Sequence, residues 1–106
     1  MEKLAEIHPG EILLEEFMKP MDITARRLAA DLDVSPSRIH DIVHGFRPIT
    51  ADTAMRLAVF FDMSARFWLN LQAEYDARMA EKELLPKMQG RIRPYVSFEH
   101  SQLASA

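Results

Sequence analysis

The chain has 106 residues, enough for one compact domain with a short tail, and a hydrophobic fraction of 48% excludes a mostly disordered chain. The absence of cysteine excludes disulfides and a thiol-based zinc site, while the lack of a signal-peptide pattern or of ~20 consecutive apolar residues predicts a cytoplasmic protein with no membrane partner. The formal net charge of −3 is unfavourable for binding nucleic acid. The acidity is concentrated in residues 1–22, which hold six acidic residues and two lysines. Residues 23–50 hold four arginines and three aspartates, so this segment is slightly basic.

The first predicted helix begins at Pro9, because proline is favoured in a first helical turn. Glutamates follow in its N-terminal half, where the helix dipole favours negative charge. We interpret His8 as part of this helix start, and Pro20 limits how far the helix can run. The stripe expected to be buried consists of Leu13, Leu14, Phe17, Met18 and Met21.

Two short apolar stripes with a break between them predict a helix-turn-helix over about residues 24–44. Ser35 can accept hydrogen bonds from the free amides of a new first turn, and Pro36 at the first helical position loses only an amide that would have no partner. The short turn at Asp33 and Val34 cannot let two helices lie antiparallel, so the helices must cross steeply. The residues expected to be buried are Leu28, Ala29, Leu32, Val34, Ile39, Ile42 and Val43.

Polar capping residues mark where the other helices start. Thr24 precedes the second helix and Thr50 the fourth, whose core face is expected to hold Ala54, Leu57, Ala58 and Phe61. Ser64 begins a fifth helix that should end near Leu85, because Pro86 cannot continue it. Five helices without a strand pattern predict an all-α fold.

The fifth helix carries more large apolar side chains than a small five-helix core needs. Trp68, Leu71, Gln72, Tyr75 and Met79 share one side of it. We expect Trp68 and Leu71 to close the chain's own core, whereas for Tyr75 and Met79 a contact with a second subunit is equally compatible with the pattern. The last residues, 89–106, are expected to form a tail that is flexible or ordered by a partner, with a short strand at residues 95–98 as the alternative to flexibility.

The exposed residues of the third helix have the chemistry of a surface that meets a DNA major groove. Arg38 is the first candidate for reading a base, because its planar fork matches O6 and N7 of guanine; an ion pair with Asp41 is the alternative. Ser35 and Ser37 at the helix N-terminus can donate to a phosphate or a base edge. His40 and Asp41 lie on the exposed side, where Asp41 could accept from a cytosine amino group.

Two further arginines flank that helix. Arg26 lies on the second helix and Arg47 in the loop after the third, and we assign both to the phosphate backbone, with ordinary surface charge as the alternative. Because this basic patch is modest, a single subunit is expected to bind DNA weakly and nonspecifically.

No constellation for catalysis or metal binding is evident. His40 and His44 are spaced i, i+4, so both imidazoles could reach one ion, but no third ligand lies nearby in sequence. The chain has no Gly-rich phosphate loop, no cysteine nucleophile and no serine in a G-x-S-x-G setting. We therefore predict no metal, no cofactor and no enzymatic activity.

Several stretches resemble one known family. The helix-turn-helix is similar to that of the lambda-repressor-like (XRE) superfamily, and with HPGEIL (residues 8–13), GFRPITADTA (45–54) and FWLNLQ (67–72) it resembles the HigA-type antitoxins within it. The similarity covers roughly residues 8–80. It implies a five-helix lambda-repressor-like DNA-binding domain over residues 1–88, followed by the tail. One position departs, since Asp33 stands where the family usually has glycine, and Asp tolerates the left-handed backbone that such a turn needs.

The resemblance implies an antitoxin and transcriptional repressor that binds double-stranded operator DNA as a homodimer. It also implies binding and neutralisation of a HigB-type toxin, an mRNA-cleaving ribonuclease of the RelE-like superfamily, through residues that no motif identifies. Two alternatives stay open: a stand-alone XRE-type regulator without a toxin, and a protein-interaction module that does not bind DNA, which the acidic net charge favours.

Overall fold

The computed structural model describes residues 6–96. This part of the chain contains six helices and no strand. Helix α1 is α-helical over Pro9–Ile12 and continues as a π-helix over Leu13–Met18. The others are α2 (Ala25–Leu32), α3 (Pro36–Val43), α4 (Ala51–Phe61), α5 (Ala65–Glu83) and α6 (Leu85–Gln89). The all-α fold and the five predicted helices are confirmed, and a sixth, short helix follows them. None of these helices combines the length and the apolar character needed to cross a membrane.

Helix α1 starts where the sequence predicted. His8 caps it, because its Nδ1 accepts a hydrogen bond from the backbone N of Gly10 at 2.9 Å. Near its end the helix widens, and the backbone N of Lys19 donates to the carbonyl of Leu14, five residues earlier, at 2.9 Å. The prediction that Met21 belongs to the buried stripe was wrong: Met21 follows the end of the helix and its side chain is 51% exposed.

One hydrophobic core is shared by the first five helices. Its buried apolar residues are Leu13, Met18, Leu28, Ala29, Leu32, Ile39, Ile42, Ile49, Ala54, Leu57 and Trp68. Trp68 is fully buried, and its ring centroid lies 4.9 Å from that of Phe17 in α1. Leu71 is half-buried and packs against the same core. The prediction that Trp68 and Leu71 close the chain's own core is therefore confirmed.

Tyr75 and Met79 lie farther along α5, and both are half-buried. The ring of Tyr75 meets that of His8 edge to face, with centroids 4.9 Å apart, so this tyrosine also packs against the start of α1. A role for Tyr75 and Met79 in contact with a second subunit stays a prediction.

Helix α6 arises at the proline that was expected only to end α5. Helix α5 ends at Glu83, just before the predicted Leu85, and Pro86 lies in the first turn of α6, where its missing amide breaks no helical hydrogen bond. Tyr95 and Val96 have no regular structure, and residues 97 and 98 of the proposed strand lie outside the described part of the chain.

Gln72 joins α5 to the loop before α4 inside the core. Its side chain is 7% exposed, and Oε1 accepts a hydrogen bond from the backbone N of the buried Ile49 at 2.8 Å. We expect Gln72→Leu to lower the free energy of unfolding by about 1–3 kcal/mol, because the buried backbone N–H of Ile49 would lose its acceptor. Urea denaturation measures this loss. Gln89→Leu, on the exposed surface of α6, should change the free energy by less than about 0.5 kcal/mol, and an equal effect of the two substitutions would contradict the role of Gln72.

We expect the stability of the fold to depend on pH through His8. Burial lowers the pKa of His8 below its ordinary 6.5, although the charges of Asp76 and Glu11 oppose the shift. The imidazole of His8 takes up a proton at higher pH in the unfolded chain than in the folded chain. The contribution of neutral His8 to the free energy of unfolding is therefore complete above pH 6.5 and is lost as the pH falls through the folded-state pKa.

The corresponding measurement is the melting temperature between pH 7.5 and pH 5. We expect it to fall more steeply for the wild type than for His8→Asn, since asparagine also caps a helix but does not titrate. Equal slopes for the two proteins would show that protonation of His8 is not coupled to folding.

Candidate nucleic-acid interface

A left-handed residue forms the corner between α2 and α3. Asp33 has φ 60° and ψ 48°, and the backbone N of Val34 donates to the carbonyl of Ala29 at 2.9 Å. Val34 is half-buried and packs against the core. The turn therefore survives with Asp in place of the family's glycine, as predicted, because Asp is among the few residues that tolerate this conformation.

Helix α3 is anchored on one side and open on the other. Ile39 and Ile42 are fully buried beneath it. At its start the Oγ of Ser35 accepts from the backbone N of Arg38 at 3.3 Å, so Ser35 caps the helix, and it lies 3.2 Å from the Oγ of Ser37. Because the apolar side fixes the helix, the opposite side presents a rigid row of polar groups to solvent.

The exposed row contains most of the predicted contact residues. Ser35, Ser37 and His40 are exposed on or next to α3, and Arg26 is exposed on α2, where it makes no ion pair with any residue in the range 6–96. Arg26 therefore presents a positive charge at the exposed surface of α2. This is the arrangement that a contact with the phosphate backbone requires.

Arg38 does not pair with Asp41, its alternative partner. Its Nη1 instead lies 2.6 Å from Oδ2 of Asp52 in α4 and 3.4 Å from Oγ1 of Thr53. The side chain is 30% exposed even though the arginine is tied to α4. The same Asp52 oxygen accepts from Nε of Arg56 at 3.0 Å, and these two arginines hold the pKa of the carboxyl below its ordinary value.

Asp41 and Arg47 form a second ion pair at the far end of α3. Nη2 of Arg47 donates to Oδ2 of Asp41 at 3.0 Å, and this bond, with a weaker one from His40, lowers the pKa of Asp41. Asp41 stays ionised and acceptor-only at neutral pH. A cytosine amino group remains chemically suitable for it, although Asp41 would have to share its oxygens with Arg47.

The rings of His40 in α3 and of His44 at its C-terminal cap lie against each other at a tilt of 33°. The ring centroids of His40 and His44 are 4.2 Å apart, and the Nδ1 of His44 lies 2.8 Å from the carbonyl of His40. The exposed ring of Phe46 is nearly parallel to that of His44, with centroids 6.1 Å apart. No group of three or more candidate metal ligands gathers within residues 6–96. Both histidines are exposed and add flat, polar rings to this surface.

An open depression lies between α3 and α4. It has a volume of about 450 Å³. Its lining consists of Arg38, Arg47, Pro48, Thr50, Asp52, Thr53 and Arg56. Three arginines against one aspartate make it locally cationic despite the acidic chain, and local potential is what an approaching phosphate meets.

Sequence reasoning missed the α4 side of this surface. Asp52 and Arg56 are spaced i, i+4, a common helical ion pair that the sequence displays. The bonds from Arg56 Nη1 to the carbonyls of Leu32 at 2.9 Å and Asp33 at 3.3 Å join residues more than twenty positions apart. No local pattern predicts a contact of that separation.

Comparison with known proteins identifies the class. The family model described as Helix-turn-helix matches residues 14–68, and the chain belongs to this helix-turn-helix family, of the XRE type, whose members are DNA-binding regulators and antitoxins. Within it, the structural neighbours of the chain are HigA-family antitoxins. The resemblance drawn from the sequence is therefore confirmed.

Three relatives illustrate the relationship. Virulence-associated protein I of Dichelobacter nodosus is 54% identical over 81 residues, which cover 76% of this chain and 75% of that protein. The Pseudomonas aeruginosa antitoxin HigA, solved with the higBA promoter, is 44% identical with a TM-score of 0.80, covering 86% and 99% of the two chains. An addiction module antidote protein of the HigA family from Coxiella burnetii is 47% identical with a TM-score of 0.76, covering 85% and 98%.

Proposed function

We propose that this chain is a sequence-specific, operator-binding repressor and the antitoxin of a type II toxin–antitoxin system. The observation that carries the proposal is the exposed polar side of α3 on a fixed apolar base, with Ser37 and Arg38 at its accessible edge. A helix presented in this way is the element that helix-turn-helix proteins insert into a major groove. The similarity to a HigA antitoxin solved with promoter DNA supports the same conclusion.

Each residue of the interface has a proposed role. Arg38 reads a base, and His40 and Asp41 lie next to it on the groove side of α3. Ser35 and Ser37 donate at the helix N-terminus, where free amides favour a phosphate. Arg26 and Arg47 contact phosphates of the DNA backbone on either side of α3. The DNA-binding domain covers residues 1–88, and residues 89–106 form the tail.

The repressor acts as a symmetric homodimer. Two α3 helices would enter successive major grooves about 34–36 Å apart and read an inverted repeat. One short helix with two intramolecular ion pairs cannot supply the affinity of a specific complex by itself, whereas two half-sites can. Tyr75 and Met79 on α5 are proposed to lie in the dimer interface, because they are half-buried at the edge of the core.

The partner protein is proposed to be a HigB-type toxin, an mRNA-cleaving ribonuclease of the RelE-like superfamily. The high coverage of HigA-family structures supports this partner. A stand-alone XRE-type regulator would share every DNA-facing feature. Purifying the tagged chain from its native host and identifying the bound protein separates the two: a small ribonuclease supports the antitoxin, and its absence supports the stand-alone regulator.

DNA binding itself is tested by fluorescence anisotropy. The probe is a labelled duplex from the region upstream of the chain's own gene, compared with a scrambled duplex of the same composition. We expect tighter binding to the native duplex, an inverted repeat in the protected sequence, and affinity that falls as salt rises. Equal or absent binding to both duplexes would favour the protein-interaction module instead.

A further inference from the structure

One carboxylate connects α3 to the helices on either side of it. Oδ2 of Asp52 accepts from Nη1 of Arg38 at 2.6 Å and from Nε of Arg56 at 3.0 Å. Arg56 also donates through Nη1 to the carbonyl of Leu32, at the end of α2, at 2.9 Å. Arg56 thus anchors Asp52 to the corner before α3, and Asp52 in turn holds Arg38.

Within residues 6–96, every hydrogen bond of the Arg38 side chain uses the same nitrogen. Nη1 donates to Asp52 and lies 3.4 Å from Oγ1 of Thr53. A guanidinium has five N–H donors in a planar fork, so the opposite edge, formed by Nε and Nη2, retains its donors among the residues that the structure describes. That edge carries two parallel N–H groups, the arrangement that bonds to O6 and N7 of guanine.

We propose that Asp52 is a positioning residue that determines the specificity of DNA binding by fixing which edge of Arg38 faces the base. This inference rests on the proposed DNA-binding function. Asp52 touches Arg38 rather than the DNA. It acts by holding Nη1, so that the long side chain does not have to be ordered when the complex forms.

The charge of Asp52 contributes to the same effect. The carboxylate of Asp52, which is shared with Arg56, offsets part of the charge of Arg38. Arg38 therefore adds less charge to the complex than a free arginine would, and its fixed orientation contributes to specificity. An arginine released from Asp52 would be free to contact any phosphate within reach of its flexible chain. Asp52 is therefore expected to weaken nonspecific binding and to strengthen binding to the correct base pair.

The test is Asp52→Asn in the full chain, measured on the upstream duplex and on the scrambled duplex at several salt concentrations. We expect affinity for scrambled DNA to rise roughly 3- to 10-fold, with a salt slope steeper by about one unit per subunit. Affinity for the native duplex should fall or stay the same. The preference for native over scrambled DNA is therefore expected to drop by roughly threefold or more.

Asp62→Asn is the matched control. It makes the same change of charge at the other end of α4, about 15 Å along the helix, and asparagine tolerates the left-handed backbone of residue 62 (φ 54°). It should leave the preference unchanged. If both variants alter binding equally, the cause is overall charge and the role of Asp52 is overturned.

The Arg38→Ala background supplies the second control. If Asp52 acts through Arg38, then Asp52→Asn has no further effect on the preference in that background. Equal weakening of both duplexes by Asp52→Asn, together with a lower melting temperature, would show a purely structural role and overturn the inference. A wild type that does not distinguish the duplexes contradicts the proposed function, whereas a wild-type preference that Asp52→Asn preserves contradicts only the role of Asp52.

Discussion

Gly10→Ala is expected to cost at least about 3 kcal/mol of the free energy of unfolding, or to prevent folding. A Cβ at this position would lie 1.7 Å from the carbonyl oxygen of Ile42 and 2.5 Å from its carbonyl carbon. Those atoms are backbone and cannot rotate away as a side chain would. The oxygen also accepts from the backbone N of Gly45 at 3.0 Å, which fixes its direction. The start of α1 would have to move off the end of α3.

Gly90→Ala is the control for this prediction. Gly90 has φ −89°, and an added Cβ there would meet no atom within 4 Å. We expect its free energy of unfolding to stay within about 0.5 kcal/mol of the wild type in urea denaturation. A Gly10→Ala protein as stable as Gly90→Ala would mean that α1 does not rest on α3 as closely as described.

Arg38→Ala is expected to have the largest effect on DNA binding. A bidentate contact with guanine provides about 1–3 kcal/mol of discrimination, and a symmetric dimer makes it twice. The affinity for the native upstream duplex should therefore fall by roughly 30-fold or more. Affinity for scrambled DNA should fall much less, because Asp52 already offsets part of the charge of Arg38.

The fold should tolerate this substitution, since the ion pair is partly exposed and such pairs contribute less than about 1 kcal/mol. Arg66→Ala removes the same charge from the exposed start of α5 and should keep the preference for the native duplex. An unchanged preference in Arg38→Ala, with an intact circular dichroism spectrum, would contradict the assignment of base reading to Arg38.

Local signals predicted the helices and the corner well. Thr24, Ser35, Thr50 and Ser64 all cap the helices that follow them, because an N-cap is decided by a few adjacent residues. Asp33 adopts the left-handed conformation for the same local reason. The buried stripes of α2 and α3 follow from periodicity, which depends only on which residues share a face.

Contacts between helices that are far apart in sequence could not be predicted from such local signals. Asp41 lies near Arg38 in sequence, but the partner of Arg38 is Asp52, because the packing of α4 places that carboxylate against α3. The need for glycine at position 10 is likewise set by the backbone of α3. Met21 was assigned to the core because the helical periodicity of α1 was extended past the end of that helix. The sequence was sufficient to propose the candidate interface, which stays a prediction, but the ion pairs around Arg38 could not be predicted from it.

The most direct measurement of the central claim is an NMR titration of the ¹⁵N-labelled chain with the native upstream duplex. We expect the largest changes of amide chemical shift on α3 and its neighbours, from Ser35 to Arg47, with smaller changes at Arg26. Changes confined to α5 and α6, with α3 unaffected at saturating DNA, would contradict it.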